Sequence, residues 1–123
     1  MTDSVQDAPY AFNGLDRLFH ERARLGIVTS LAGSVDGLVF SELKKLCGLT
    51  DGNLNRHLSA LEEAGYVTLE KTQQSKRPVT TCRLTPFGRD RFLDYLEALE
   101  SALKEGTRAT ASEQTMRLRA ARA

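Results

Sequence analysis

The sequence predicts a mainly α fold carrying one small β-hairpin, an α+β class. Three observations predict it. Apolar residues recur at helical spacing from Leu15 to Leu31 and again from Leu54 to Leu61. After Gly65 the pattern changes to strand-like alternation. Thr85-Pro86 then opens a stretch in which the helical period returns, with proline at the first helical position, where its missing N–H costs nothing.

The elements follow in order. Residues 1–14 are polar and mixed and are expected to be a disordered N-terminal segment. Residues 15–105 hold the domain. Its first helix spans about Leu15 to Leu31, with Leu15, Leu18, Phe19, Leu25, Ile27, Val28 and Leu31 on the apolar side. Gly33 to Gly37 is a loop. A short helix from Ser41 to Leu46 follows, with Ser41 as its N-cap. Gly48-Leu49 makes a turn, Thr50 caps a third helix over about 50–64, and Gly65 supplies the left-handed residue that ends it. Tyr66–Glu70 and Val79–Leu84 read as strands, joined by a polar, basic loop from Thr72 to Pro78. A helix over about 86–104 comes next. Residues 106–123 are expected to be a flexible basic tail, with Arg108, Arg117, Arg119 and Arg122 set against Glu113.

Two short helices joined by a tight turn and followed at once by a hairpin make a winged helix-turn-helix. The recognition helix is about 50–64, the wing about 66–85, and a long C-terminal dimerisation helix completes the fold. With Leu54 at 0° on a helical wheel, Leu58 and Leu61 lie about 40° and 20° away on either side. These three leucines form a buried stripe. The opposite face carries Gly52, Asn53, Arg56 and Ser59, with Asn55 at the flank. It is polar and small-featured apart from Arg56, which suits a helix entering the major groove. Arg56 can donate two hydrogen bonds to guanine O6 and N7. Asn53 and Asn55 can pair with adenine or hold a phosphate. Gly52 allows close approach, and Thr50 and Ser59 can offer hydroxyls to the sugar-phosphate backbone. In the wing, Lys71, Lys76 and Arg77 can reach phosphates or the adjacent minor groove.

Net charge is only +1, so the distribution carries the argument. From Lys71 to Arg83 there is no acidic residue, a local electrostatic footprint on a neutral chain. Cys47 and Cys82 have no near cysteine partner and read as small apolar residues. His57, at the edge of the buried stripe, reads as a satisfied boundary histidine. No metal site, cofactor or catalytic constellation is expected: there is no glycine-rich phosphate loop and no nucleophile motif. Neither a signal peptide nor an apolar run long enough to span a bilayer is apparent, so a cytoplasmic protein with no membrane partner is expected. Phe92, Tyr95, Leu96, Leu99 and Leu103 form an apolar stripe on the last helix, expected to be a homodimer seam.

At this point the residues carry a family pattern. Phe40-Ser41-Glu42-Leu43, Gly48 through Leu54, His57-Leu58 and Leu61 through Val67 resemble the winged helix DNA-binding proteins of the broad MarR/ArsR-like group. The Gly52-Asn53-Leu54…His57-Leu58 spelling is similar to a subgroup of small single-domain transcriptional regulators. His20-Glu21…Arg24-Leu25…Ile27 looks like the first helix of that group. Arg83 through Arg89 looks like its exit from the wing into the last helix. The resemblance spans about Leu15 to Leu103. It implies a homodimeric, sequence-specific transcriptional regulator that places the helix from Thr50 in the major groove of double-stranded DNA, at a palindromic operator. It transfers no small-molecule effector. ArsR-type metal sensors usually carry paired cysteines in the helix before the recognition helix, whereas Leu43 through Cys47 holds one. Two other readings stay open from the sequence: a winged-helix protein-interaction module without DNA binding, favoured by the low net charge, and a redox- or metal-responsive regulator using Cys47, Cys82 and His57.

Overall fold

The computed structural model describes residues 8–122. The chain forms two compact units. One is Asp16–Leu93. The other joins the described parts of Met1–Leu15 and Asp94–Ala123. The element order is α1 (Arg22–Ala32), β1 (Leu38–Val39), α2 (Phe40–Cys47), α3 (Asp51–Glu63), β2 (Val67–Gln74), β3 (Arg77–Leu84) and α4 (Pro86–Arg122). The strands form one antiparallel sheet in the order β1-β3-β2. This is the α+β winged helix-turn-helix that the pattern predicted.

Several boundaries differ from expectation, each for a local reason. The first helix starts at Arg22 rather than Leu15. The Asp16 carboxylate accepts from the Leu18 N–H at 2.9 Å, holding a turn there. Glu21 then caps α1 by accepting from Ala23 N–H at 3.1 Å. Phe19 is still fully buried, stacked on Tyr66 with centroids 4.8 Å apart. The second helix begins at Phe40, and its N-cap is Val39 rather than Ser41, with no side-chain cap bond. β1, which the sequence reading lacked, pairs Leu38 with Cys82 and Val39 with Thr81.

The wing has the expected extent, about 66–85, but its strands are longer than expected. The loop expected from Thr72 to Pro78 is mostly strand, and only Ser75-Lys76 turns, both with positive φ (49° and 69°). Two consecutive left-handed residues match the right-handed twist of the flanking strands. Pro78 is compatible with this strand because it faces Gln73 across a non-hydrogen-bonded pair, so its missing N–H points outward.

The core of the Asp16–Leu93 unit holds Phe19, Ile27, Val28, Leu31, Leu43, Leu54, Leu58, Leu61, Tyr66, Val67, Cys82 and Phe92. Burial of each large apolar side chain contributes roughly 1.5–3 kcal/mol. Thr85 ties the end of the wing to the end of α3. Its hydroxyl donates to Gly65 O at 2.7 Å and accepts from Gly88 N–H at 2.8 Å. Gly88 lies so close to the Tyr66 backbone that a Cβ there would sit 2.8 Å from Tyr66 Cα.

The last helix runs to Arg122, well past the expected end near Lys104. The segment expected to be a flexible tail is helical through residue 122, with Arg108–Glu105 and Arg117–Glu113 ion pairs one turn apart. Disorder was expected for residues 1–14. Of these, 1–7 lie outside the described residues, and 8–14 form turns, with Phe12 in the left-handed region (φ 50°). Among the described residues no helix is long and apolar enough to cross a membrane.

Candidate nucleic-acid interface

α3 has the two faces that its sequence implies. Leu54, Leu58 and Leu61 are buried. Thr50, Gly52, Asn53, Asn55, Arg56 and Ser59 are all exposed. Gly48 takes a left-handed conformation (φ 63°) between α2 and α3, which lets the chain reverse in a tight turn. The Thr50 hydroxyl oxygen accepts from Asn53 N–H at 3.2 Å, so its lone pair is committed to the cap while its proton stays available to an acceptor.

The charge around this helix was only partly legible. Asp51, in the first turn, faces Lys44 of α2 at 2.8 Å. That pair links α2 to α3 and partly offsets the positive charge of Lys44, which stays partly solvent-exposed. It also places a carboxylate beside the helix N-terminus, where a phosphate would otherwise be attracted. Lys45 is exposed next to it. Arg83 likewise pairs with Glu70 on the neighbouring strand at 3.4 Å, so the free basic charge of the wing narrows to Lys71, Lys76 and Arg77, all exposed.

Tertiary structure brings part of this set together. A groove of about 550 Å³ runs between α3 and the sheet, and Asn55, Ser59, Glu62, Lys71 and Thr80 line it over a floor that includes Leu58 and Leu69. Asn55, Ser59 and Lys71 therefore share one concavity. Lys76 and Arg77 sit apart at the hairpin tip, with Arg77 level with Gln74, roughly 10 Å along the strand from Lys71 at a rise of about 3.3 Å per residue.

His57 is 4% exposed, as expected for a satisfied boundary residue. Its Nδ1 lies 3.1 Å from Arg24 Nε and 3.2 Å from Glu21 Oε2. Its Nε2 lies 3.4 Å from Arg56 Nη2. Burial pushes the His57 pKa below its usual value, against the pull of the Glu21 carboxylate, with Arg56 and Arg24 adding to the lowering. The Ala23 N–H bond lowers the Glu21 pKa, helped by His57 and Arg24. The sequence signal for this cluster was the placement of His57 at the margin of the buried stripe; which residues of α1 would meet it depends on the helix crossing.

The stripe on α4 divides. Phe92 and Tyr95, expected at a dimer seam, are 5% and 1% exposed within the chain. Phe92 meets Phe19 edge-on at 5.4 Å. These two are core residues. Leu96, Leu103 and the neighbouring Leu93 are exposed, and Leu99 is half-buried. Cys82 is buried, which pushes its thiol up to about 11, whereas Cys47 is half-buried with its Sγ 3.9 Å from Ser30 Oγ. Among the described residues no three His, Cys, Asp or Glu side chains assemble into a group that could hold a metal ion.

Comparison with known proteins agrees with this fold. Residues 23–113 match the family model of the winged helix DNA-binding domain. An uncharacterized protein of Methanocaldococcus jannaschii is 36% identical over 80 residues, 65% of this chain and 86% of that protein. The transcriptional regulator homologue protein of Pyrococcus horikoshii OT3 superposes with a TM-score of 0.67 at 27% identity, covering 82% of this chain and 94% of its own. The crystal structure of MarR superposes with a TM-score of 0.62 at 20% identity, over 93% of this chain and 88% of the other, a likeness of fold.

Proposed function

This chain belongs to the winged helix DNA-binding domain family, with the fold of MarR-like transcriptional regulators, and from that premise we propose that it binds double-stranded DNA sequence-specifically as a homodimer in the cytoplasm. The outer face of α3 enters the major groove. Arg56 reads a base edge, Asn53 and Asn55 read or brace, and Gly52 lets the backbone come close. Thr50 and Ser59 donate to phosphates. Lys71, beside Asn55 and Ser59 in the same groove, neutralises the strand passing between helix and wing. Lys76 and Arg77 reach onward to phosphates or the minor groove. Two copies meet through the rest of the α4 stripe, the exposed Leu96 and Leu103 and the half-buried Leu99, at an operator whose palindromic half-sites lie about 34–36 Å apart or a multiple of that.

The observation that carries this reading is the groove in which the exposed Asn55 and Ser59 of α3 meet the exposed Lys71 of β2, at the start of the acid-free stretch of the wing. Selection from a random-centre duplex pool with purified protein tests it. An enriched inverted repeat is the expected result. Absence of binding to every duplex at low salt overturns it. Against the enriched site, Arg56→Ala weakens binding by roughly 1–3 kcal/mol and relaxes one base position in each half-site.

A further inference from the structure

The hydrogen-bond geometry around His57 does not close with a single proton placement. Nδ1 faces a pure donor, Arg24 Nε at 3.1 Å, and a pure acceptor, Glu21 Oε2 at 3.2 Å. Nε2 faces a second pure donor, Arg56 Nη2 at 3.4 Å. Arg24 and Glu21 come from the start of α1, and Arg56 is the neighbour of His57 on α3. Glu21 Oε2 is itself sealed from solvent, and it has no hydrogen bond when Nδ1 serves Arg24 as acceptor. An unsatisfied buried carboxylate oxygen is costly, which favours the arrangement that satisfies it.

Three proton states follow. With the proton on Nδ1, the ring donates to Glu21 Oε2, Nε2 accepts from Arg56, and Arg24 falls back on Glu21, which it already faces at 3.7 Å. With the proton on Nε2, Arg24 gains Nδ1, Glu21 Oε2 is orphaned and Arg56 meets a donor. With both nitrogens protonated, Glu21 is satisfied and Arg56 again meets a donor. Only the first state holds Arg56. We propose that His57 is a positioning residue for Arg56: Glu21 fixes the Nδ1–H tautomer, and the free Nε2 lone pair then orients the Arg56 guanidinium on the outer face of α3. A carboxylate that caps α1 through its other oxygen thereby sets how a base-reading arginine is presented. Burial keeps the imidazole neutral at neutral pH, and a neutral imidazole is what the holding state requires.

The proposal rests on the DNA-binding reading for its consequence but not for its geometry, and its test has an arm for each. In the free protein, the ring-nitrogen chemical shifts of His57 in an ¹⁵N-labelled sample report the tautomer. The expected result is Nδ1–H in the wild type, moving to Nε2–H in Glu21→Ala. A wild-type Nε2–H tautomer overturns the proposal. In the second arm, the duplex enriched from a random-centre pool is titrated against His57→Asn, whose amide replaces Nδ1 alone, and His57→Gln, whose amide reaches the Nε2 position. At the base pair that Arg56→Ala relaxes, His57→Asn loses about tenfold of the discrimination. His57→Gln keeps it, and His57→Asn adds nothing in the Arg56→Ala background. Unchanged discrimination in His57→Asn, or an equal loss against every duplex, overturns the positioning role. Circular dichroism checks folding, and Glu21→Ala carries the same titration should His57→Asn not fold. If the wild type binds no duplex, the DNA-binding reading falls and the tautomer arm still decides the proposal.

Discussion

At the scale of single residues, the buried histidine has a consequence for stability as well as for recognition. The folded pKa of His57 is lowered below the usual 6.5, chiefly by burial. The unfolded chain therefore binds the proton more readily as pH falls below about 6.5, and the native state loses stability in that window. The contribution is complete above the unfolded pKa and declines as pH drops toward the folded one. Urea unfolding at pH 7.5 and 5.5 shows it: the wild type loses more stability between the two than His57→Gln does. Gly88 gives a second residue-level expectation. A Cβ there collides with the Tyr66 main chain, which Thr85 holds in place through its own N–H at 2.9 Å. Backbone cannot yield as a side-chain tip can, so Gly88→Ala costs on the order of 1–3 kcal/mol in denaturant melts. The tight contact was invisible in the sequence, where Gly88 looks like any glycine near a helix start.

At the scale of elements, the wing separates stability from binding. Ser75 and Lys76 both sit in the left-handed region, which costs a non-glycine residue roughly 1 kcal/mol. Lys76→Gly relieves that strain and removes a cation proposed to meet phosphate. The variant should melt higher yet bind duplex more weakly, with the slope of log K against log salt shallower by about 1. A parallel loss in both measurements refutes the assignment of Lys76 to phosphate. The most legible element is α3, because Thr50, the leucine stripe and Gly65 mark its start, buried face and end at fixed spacing. The first helix was the least legible. Leu15, Leu18 and Phe19 continue the apolar pattern, but the Asp16 side chain diverts the local backbone into a turn, and Glu21 restarts the helix.

At the scale of the whole molecule, the apolar stripe of α4 has two destinations. Phe92 and Tyr95 are buried within the chain, whereas Leu96 and Leu103 are 39% and 64% exposed. Leu103→Glu should therefore shift the protein toward monomer in sedimentation velocity while leaving the thermal melt of the monomer nearly unchanged. Phe92→Ala should instead lower stability by about 3–5 kcal/mol, the range for a buried aromatic. The sequence reads 106–123 as a loose basic tail with at most partial helix, because Gly106 and the Ala- and Thr-rich run after it lack an apolar stripe, whereas α4 continues to Arg122. Helix there is supported by ion pairs one turn apart and by the absence of proline.

The sequence by itself determined the class of fold, the two faces of α3 and the place of the wing. These depend on local periodicity, caps and turn residues, which act within a few positions. It also marked the polar and basic residues proposed to meet DNA. Only the tertiary structure decided which charges stay free. Lys44 and Arg83 are taken up by Asp51 and Glu70, and those pairings depend on how a helix turn and a strand register bring distant side chains within 4 Å. It also decided which stripe residues are core, and that Glu21 and Arg24 meet His57. Such meetings follow from the crossing of α1 and α3, and no periodicity within either helix encodes the angle at which they cross.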